Sequence, residues 1–122
     1  MSDARLVGTW TTELEDDGKS VLGLASFTGD GGVTCYQVNA KNIGLGNWES
    51  TAKDSFHYNF HILAVNPQGE HVGEAHVFVT GEFVSDDRWE GTGGANFYSP
   101  AGDLLRGHEG SRVTARKFGI DK

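Results

Sequence analysis

The chain has 122 residues, a formal net charge of −7, one cysteine, and 18 glycines against 2 prolines. That acidity argues against nucleic acid and anionic membranes as partners, because both demand a basic surface, and a lone thiol closes no internal disulfide. No apolar run approaches the roughly 20 residues that span a bilayer and the opening residues lack an apolar signal core, so one cytoplasmic domain over 1–122 is expected.

Helix signals are poor throughout; runs of period two, rich in Val, Phe, Tyr and Thr, dominate. The first predicted strand, 6–14, carries Gly8-Thr9-Trp10. Strands 20–27 and 33–39 flank a hairpin turn at Thr28-Gly29-Asp30-Gly31-Gly32. Strands 46–52 and 55–65 follow, and the latter ends at Asn66-Pro67-Gln68-Gly69-Glu70. Strand 71–84 runs into VSDDRW, a tight turn, and strand 89–98 ends at Ser99-Pro100-Ala101-Gly102-Asp103. Strand 104–118 closes the series. The two proline turns share one frame: proline presets φ for a type I turn, and the glycine two residues on takes the left-handed conformation of a bulged hairpin. Eight strands joined by short turns predict an all-β, up-and-down antiparallel β-barrel, an architecture that removes exposed edges.

Gly8-Thr9-Trp10 on the first strand, with SRVTARKF (111–118) on the last, resembles the calycin group of lipocalins, avidins and their relatives. The resemblance implies a tryptophan at the barrel base with a basic residue of the last strand across it, here Arg112 or Arg116. It also implies a cavity for a small apolar ligand. The lipocalin disulfide and the avidin set of biotin-contacting residues are absent. In architecture alone, the short chain is similar to small barrels of the allene-oxide-cyclase type. Some of these act on polyketide or fatty-acid intermediates in bacteria.

Turn geometry fixes register, and register fixes facing. Pairing Asn66 with Glu70 sets Ile62 opposite Glu74, Phe60 opposite His76 and Tyr58 opposite Phe78. Pairing Ser99 with Asp103 sets Phe97 opposite Leu105 and Gly93 opposite Glu109, with Trp89 on the same side. A tight turn at Asp86-Asp87 pairs Val84 with Trp89, which sends Glu82, Phe78, His76 and Glu74 inward by a second route. The first hairpin groups Leu22, Leu24, Tyr36 and Val38, leaving Cys35 outside. The expected interior is therefore aromatic, with Tyr36, Tyr58, Glu74, His76, Glu82 and Glu109 as polar members. Glycines 91, 93 and 107 face it and leave room, which makes Trp10 the floor of a pocket.

An inward carboxylate beside an inward histidine suits acid–base chemistry. Glu74, His76, Tyr58 and Tyr36 are the candidate catalytic groups. Trp10, Phe60, Phe78, Trp89, Phe97, Leu105 and Glu109 are the candidate ligand-binding set. A one-residue register error would pass the polar role to His57, Asn59 and His61. No metal is expected: His57 and His61 lie about 13 Å apart along a strand, and His71 and His76 point to opposite faces. GTGGAN (91–96) lacks the strand-to-helix context of a phosphate loop, and no G-x-S-x-G elbow occurs. The other face of the 55–79 hairpin, with Leu63, Ala75, Val77 and Val79, is a candidate homodimer interface. The expected function is cofactor-free cyclisation, isomerisation or dehydration of a small apolar molecule; the alternative is a non-catalytic carrier.

Overall fold

A computed structural model describes residues 3–16 and 18–121, the side chain of Asp16 excepted. Eight strands occur among the described residues: β1 (Gly8–Asp16), β2 (Lys19–Phe27), β3 (Gly32–Gln37), β4 (Gly44–Ala52), β5 (Ser55–Val65), β6 (His71–Ser85), β7 (Arg88–Tyr98) and β8 (Leu104–Phe118). Each pairs antiparallel with the next, and β1 pairs with β8, so the sheet is a closed barrel in sequence order. No helix occurs among the described residues.

One end is sealed. A turn at Asp3–Val7, held by Leu6 N–H on the Asp3 carbonyl and Val7 N–H on the Ala4 carbonyl, tucks Leu6 out of solvent beneath the barrel. Arg5 anchors this plug. Its guanidinium bonds Asp3 at 2.6 Å and Asp54 at 2.9 Å, and lies 4.2 Å from the Phe83 ring centre. Trp10 is fully buried and donates its indole N–H to the Leu6 carbonyl at 2.9 Å. The basic residue across Trp10 is Lys117, directly opposite it on β8, with Nζ 5.5 Å from the ring. Arg112 instead meets Glu90 on the outside, and Arg116 is exposed.

The lower barrel is solid. Trp89 packs against Trp10 at 6.2 Å, Phe56 at 5.1 Å and Tyr58 at 5.9 Å, and Phe27 meets Tyr58 edge-on at 5.1 Å. Glycines serve this filling rather than a cavity: a Cβ on Gly81 would lie 2.5 Å from the Phe56 ring, and one on Gly91 would lie 2.0 Å from the Thr80 carbonyl. Gly93 and Gly107 are likewise hemmed in, by the Phe78 carbonyl and the Asn96 side chain. The expectation that these glycines leave room is therefore corrected; they allow close approach of neighbouring strands.

Facing follows the turns only as far as the first bulge. Both proline turns close as expected, with Asn66 N–H on the Glu70 carbonyl and Ser99 N–H on the Asp103 carbonyl. Each then admits one extra residue two positions past its acid. Val72 is unpaired between His71 and Gly73, and Leu105 between Leu104 and Arg106. A bulge sets two residues against one and inverts every side chain beyond it. The Val72 bulge pairs Leu63 with Glu74 and His61 with His76. A further bulge at Val84 pairs Phe83, not Val84, with Trp89. On β8, Glu109 and Gly110 (φ +82°) lie between His108, paired with Ala95, and Ser111, paired with Gly93.

Candidate functional site

The concavity that encloses a ligand-sized space lies at the end opposite the plug. Its volume is about 590 Å³. Leu14, Ile62, Ala75, Val77, Ala95 and Phe97 form apolar walls, and Gln37, His108, Arg106 and Lys41 supply polar groups toward the rim. Each arrives by strand alternation. Ile62 faces Ala75, Ala75 faces Phe97, and Val77 faces Ala95 across successive pairs. His108 reaches the interior because the Leu105 bulge shifts it opposite inward Ala95, and the bulge at Glu109–Gly110 then resets the facing for Ser111 and Val113. Its ring stands 6.3 Å from Phe97, and the Arg106 guanidinium covers the same phenyl ring at 4.4 Å. Lys41 and Arg106 thus place positive charge at the mouth of a chain whose net charge is −7, with Glu74 at the same rim. A void of about 20 Å³ lies below, lined by Thr12, Cys35, Gln37, Tyr58 and Phe60 among others. That is room for about one water molecule. A shallow groove of about 320 Å³ on the outer wall, along β1 and β8, is lined by residues such as Thr11, Glu13 and Arg116.

Two buried groups sit at this lower level. Burial pushes the Cys35 thiol up to about 12. Burial, and then the neighbouring Cys35, hold the Tyr58 phenol well above its ordinary value. Both stay protonated at neutral pH, so Tyr58 offers a donor and neither offers a base.

The four groups expected to act together do not converge in the barrel; only Glu74 and His76 meet, at 3.6 Å. Glu74 and His76 stand on the outer wall, because the Val72 bulge turns β6 over. Glu82 and Phe78 follow them outward, and Glu109 is exposed within the second β8 bulge. Tyr36 is exposed on the outer wall with Leu22 and Leu24, while Ala25, Phe27, Val33 and Cys35 face in. Cys35 is therefore buried rather than outward. Trp10 and Trp89 belong to the sealed end, and Trp10 is no pocket floor. Phe60 and Tyr58 point inward as expected but lie beneath the cavity, at the void. Phe97 lines the cavity, and Leu105 lines its mouth from the bulge, mostly exposed. His57, Asn59 and His61 also lie outside, since in this hairpin the β5 facing is as expected and β6 alone inverts. The expected dimer face does not exist as drawn, because Ala75, Val77 and Val79 point into the barrel.

Sequence reasoning missed His108, Gln37 and Arg106. A signal for His108 was present: Gly110 within a strand pattern marks a bulge. A signal for β2 and β3 was present too. An Asp-Gly pair between two strand-like runs is, as sequence, a two-residue hairpin signal, and the observed pairing of Asp16 with Lys19 sets Trp10 opposite Ala25.

None of the protein-family models, curated proteins or solved structures compared with this chain matches it.

Proposed function

We propose that this chain binds one small, mainly apolar molecule in the open-end cavity, with an acidic or hydrogen-bond-accepting end of the ligand at the rim. The carrying observation is the cavity itself: about 590 Å³ with apolar walls and a few convergent polar groups, within the roughly 300–1,000 Å³ of small-molecule sites. The cations Arg106 and Lys41 at the mouth favour an anionic head group, and the apolar depth favours a hydrocarbon or aromatic body. The Gly-x-Trp strand with Lys117 across its tryptophan supports a calycin-like reading of the barrel, in which an apolar guest enters one open end.

Carrier and enzyme share this site. In the catalytic reading, a cofactor-independent cyclisation, isomerisation or dehydration would rest on His108 to move a proton and Gln37 to hold a carbonyl, because Glu74 and His76 lie outside. The observation favouring it is an imidazole at the wall of an apolar cavity.

Titration with an anionic, aromatic fluorescent probe (an anilinonaphthalene sulfonate) tests the binding. Saturable one-to-one binding at micromolar affinity is expected. Ala95→Trp, which fills the cavity from its wall, should abolish it with the fold intact by circular dichroism. Arg106→Glu should weaken the sulfonate probe more than an uncharged analogue. Absence of saturation in the parent protein, or undiminished binding by Ala95→Trp, would refute the reading.

A further inference from the structure

We propose that His61, Glu74 and His76 form a binding site for a divalent ion of the zinc class on the outer wall, next to the cavity rim that Glu74 also lines. The strand geometry builds it. Glu74 and His76 are two residues apart on β6 and so share a face, and His61 on β5 is the direct cross-strand partner of His76. Directly opposed side chains have Cβ atoms about 4.5–5.5 Å apart, which suits three ligands converging on one ion. One donor atom from each residue lies within 4.8 Å of the other two.

The donor set selects the metal. Two imidazoles and one carboxylate suit zinc and its first-row neighbours, whereas calcium and magnesium take oxygen ligands. Around a tetrahedral ion with bonds of about 2.0–2.2 Å, ligand atoms stand about 3.3 Å apart. Convergence therefore asks for shifts of about an ångström or more, within reach of exposed or half-buried side chains. Three protein ligands leave a fourth position for water.

His76 is already placed. Its ring lies between His61, stacked at 3.6 Å and 7° between planes, and Tyr98 at 4.5 Å. Its Nε2 has no hydrogen-bond partner, is shielded from solvent, and points toward Glu74 Oε2 at 3.6 Å. Face-to-face rings hold their in-plane lone pairs side by side, so one ring must turn for both to reach one ion. That ring is His61, the exposed member. Zinc binding therefore breaks the histidine stack while leaving His76 against Tyr98.

The test is zinc titration of chelator-treated protein by competition with a chromophoric chelator, with imidazole nitrogens followed by NMR. One zinc per chain at micromolar affinity or tighter is expected, with shifts at His61 and His76 and none at His57, His71 or His108. His61→Ala and His76→Ala should each weaken binding at least about a hundredfold, and Glu74→Gln about tenfold or more. His57→Ala and His71→Ala should bind as the parent does. Because all of these residues lie outside the core, unchanged circular dichroism and urea midpoints should accompany each loss. If a variant proves unfolded, the NMR assignment in the parent decides instead. No stoichiometric zinc in the parent, shifts at other histidines, or parent-like affinity in both His61→Ala and His76→Ala would overturn the site.

Discussion

Removing Trp10 separates the sealed end of the barrel from its cavity. The side chain is fully buried, packs against Trp89 at 6.2 Å and Phe83 at 6.3 Å, and bonds the Leu6 carbonyl. Tryptophan-to-alanine changes in a core cost about 3–5 kcal/mol. Stranding the Leu6 carbonyl adds about 1 kcal/mol. Trp10→Ala should thus lose about 4–6 kcal/mol, much of the roughly 5–15 kcal/mol that holds a domain folded. Trp10→Phe keeps a ring and loses the indole donor, so its cost lies between about 1 kcal/mol and that figure. Urea unfolding followed by far-ultraviolet circular dichroism gives both. The cavity begins at Leu14, four residues or roughly 13 Å along the same strand. Folded Trp10→Phe should therefore bind the sulfonate probe with parent affinity, within about twofold. A loss below about 1 kcal/mol in Trp10→Ala would show that the plug does not seal that end. A tenfold fall in probe affinity for Trp10→Phe would restore Trp10 to the pocket and refute the layering.

Cys35 makes stability sensitive to alkali. Its folded value is raised from 9.0 to about 12, so the folded state keeps a proton that the unfolded state releases. The contribution is whole below pH 9 and is lost as pH rises toward 12, reaching about 1 kcal/mol by pH 10. The urea midpoint should fall from pH 8 to pH 10, and less steeply in Cys35→Ala; equal slopes would refute this origin. Native Cys35 should also resist a thiol reagent at pH 8 until the protein unfolds, and labelling within seconds would contradict its burial. Deleting Val72 should cost at least about 2 kcal/mol by urea unfolding. Turning Val77 and Val79 outward forfeits about 1.5–3 kcal/mol each, while shortening the turn forfeits the Asn66 hydrogen bonds at about 0.5–1.5 kcal/mol each. An unchanged midpoint would show that this bulge does not set the facing of β6.

The strands and the barrel were legible because turn chemistry is local. Asn66-Pro67 and Ser99-Pro100 announce their hairpins in a few residues, and both close on the expected pairs. Facing on β5 and β7 was legible as well, from the alternation of Tyr58, Phe60 and Ile62 and of Trp89 and Phe97. What failed was the propagation of parity along β6 and the first part of β8. Val72 and Val84 bulge at opposite ends of β6. Two inferences drawn from those ends agreed because each carried one uncounted residue. On β2 and β3 the more apolar set, Leu22, Leu24, Tyr36 and Val38, lies outside, and the smaller Ala25 and Cys35 lie within. Hydrophobicity alone chose the wrong side there, and the cross-strand neighbour Trp10 decides it. The histidine cluster was invisible for the same reason, since His61 meets His76 only once Val72 is counted out.

Closure of β8 onto β1 also settles where the polypeptide enters and leaves. Thr9 pairs with Phe118, so β1 begins and β8 ends at the plugged pole, while the two proline hairpins ring the mouth. A fusion partner, surface tether or affinity tag attached at either terminus would hang from the base and leave the entrance clear. Joining the termini with a short linker and cutting at Pro100–Ala101, an exposed hairpin tip, would reverse that polarity. Such a permutant would carry its new ends at the entrance, where an added segment would obstruct a guest without touching the wall that holds it.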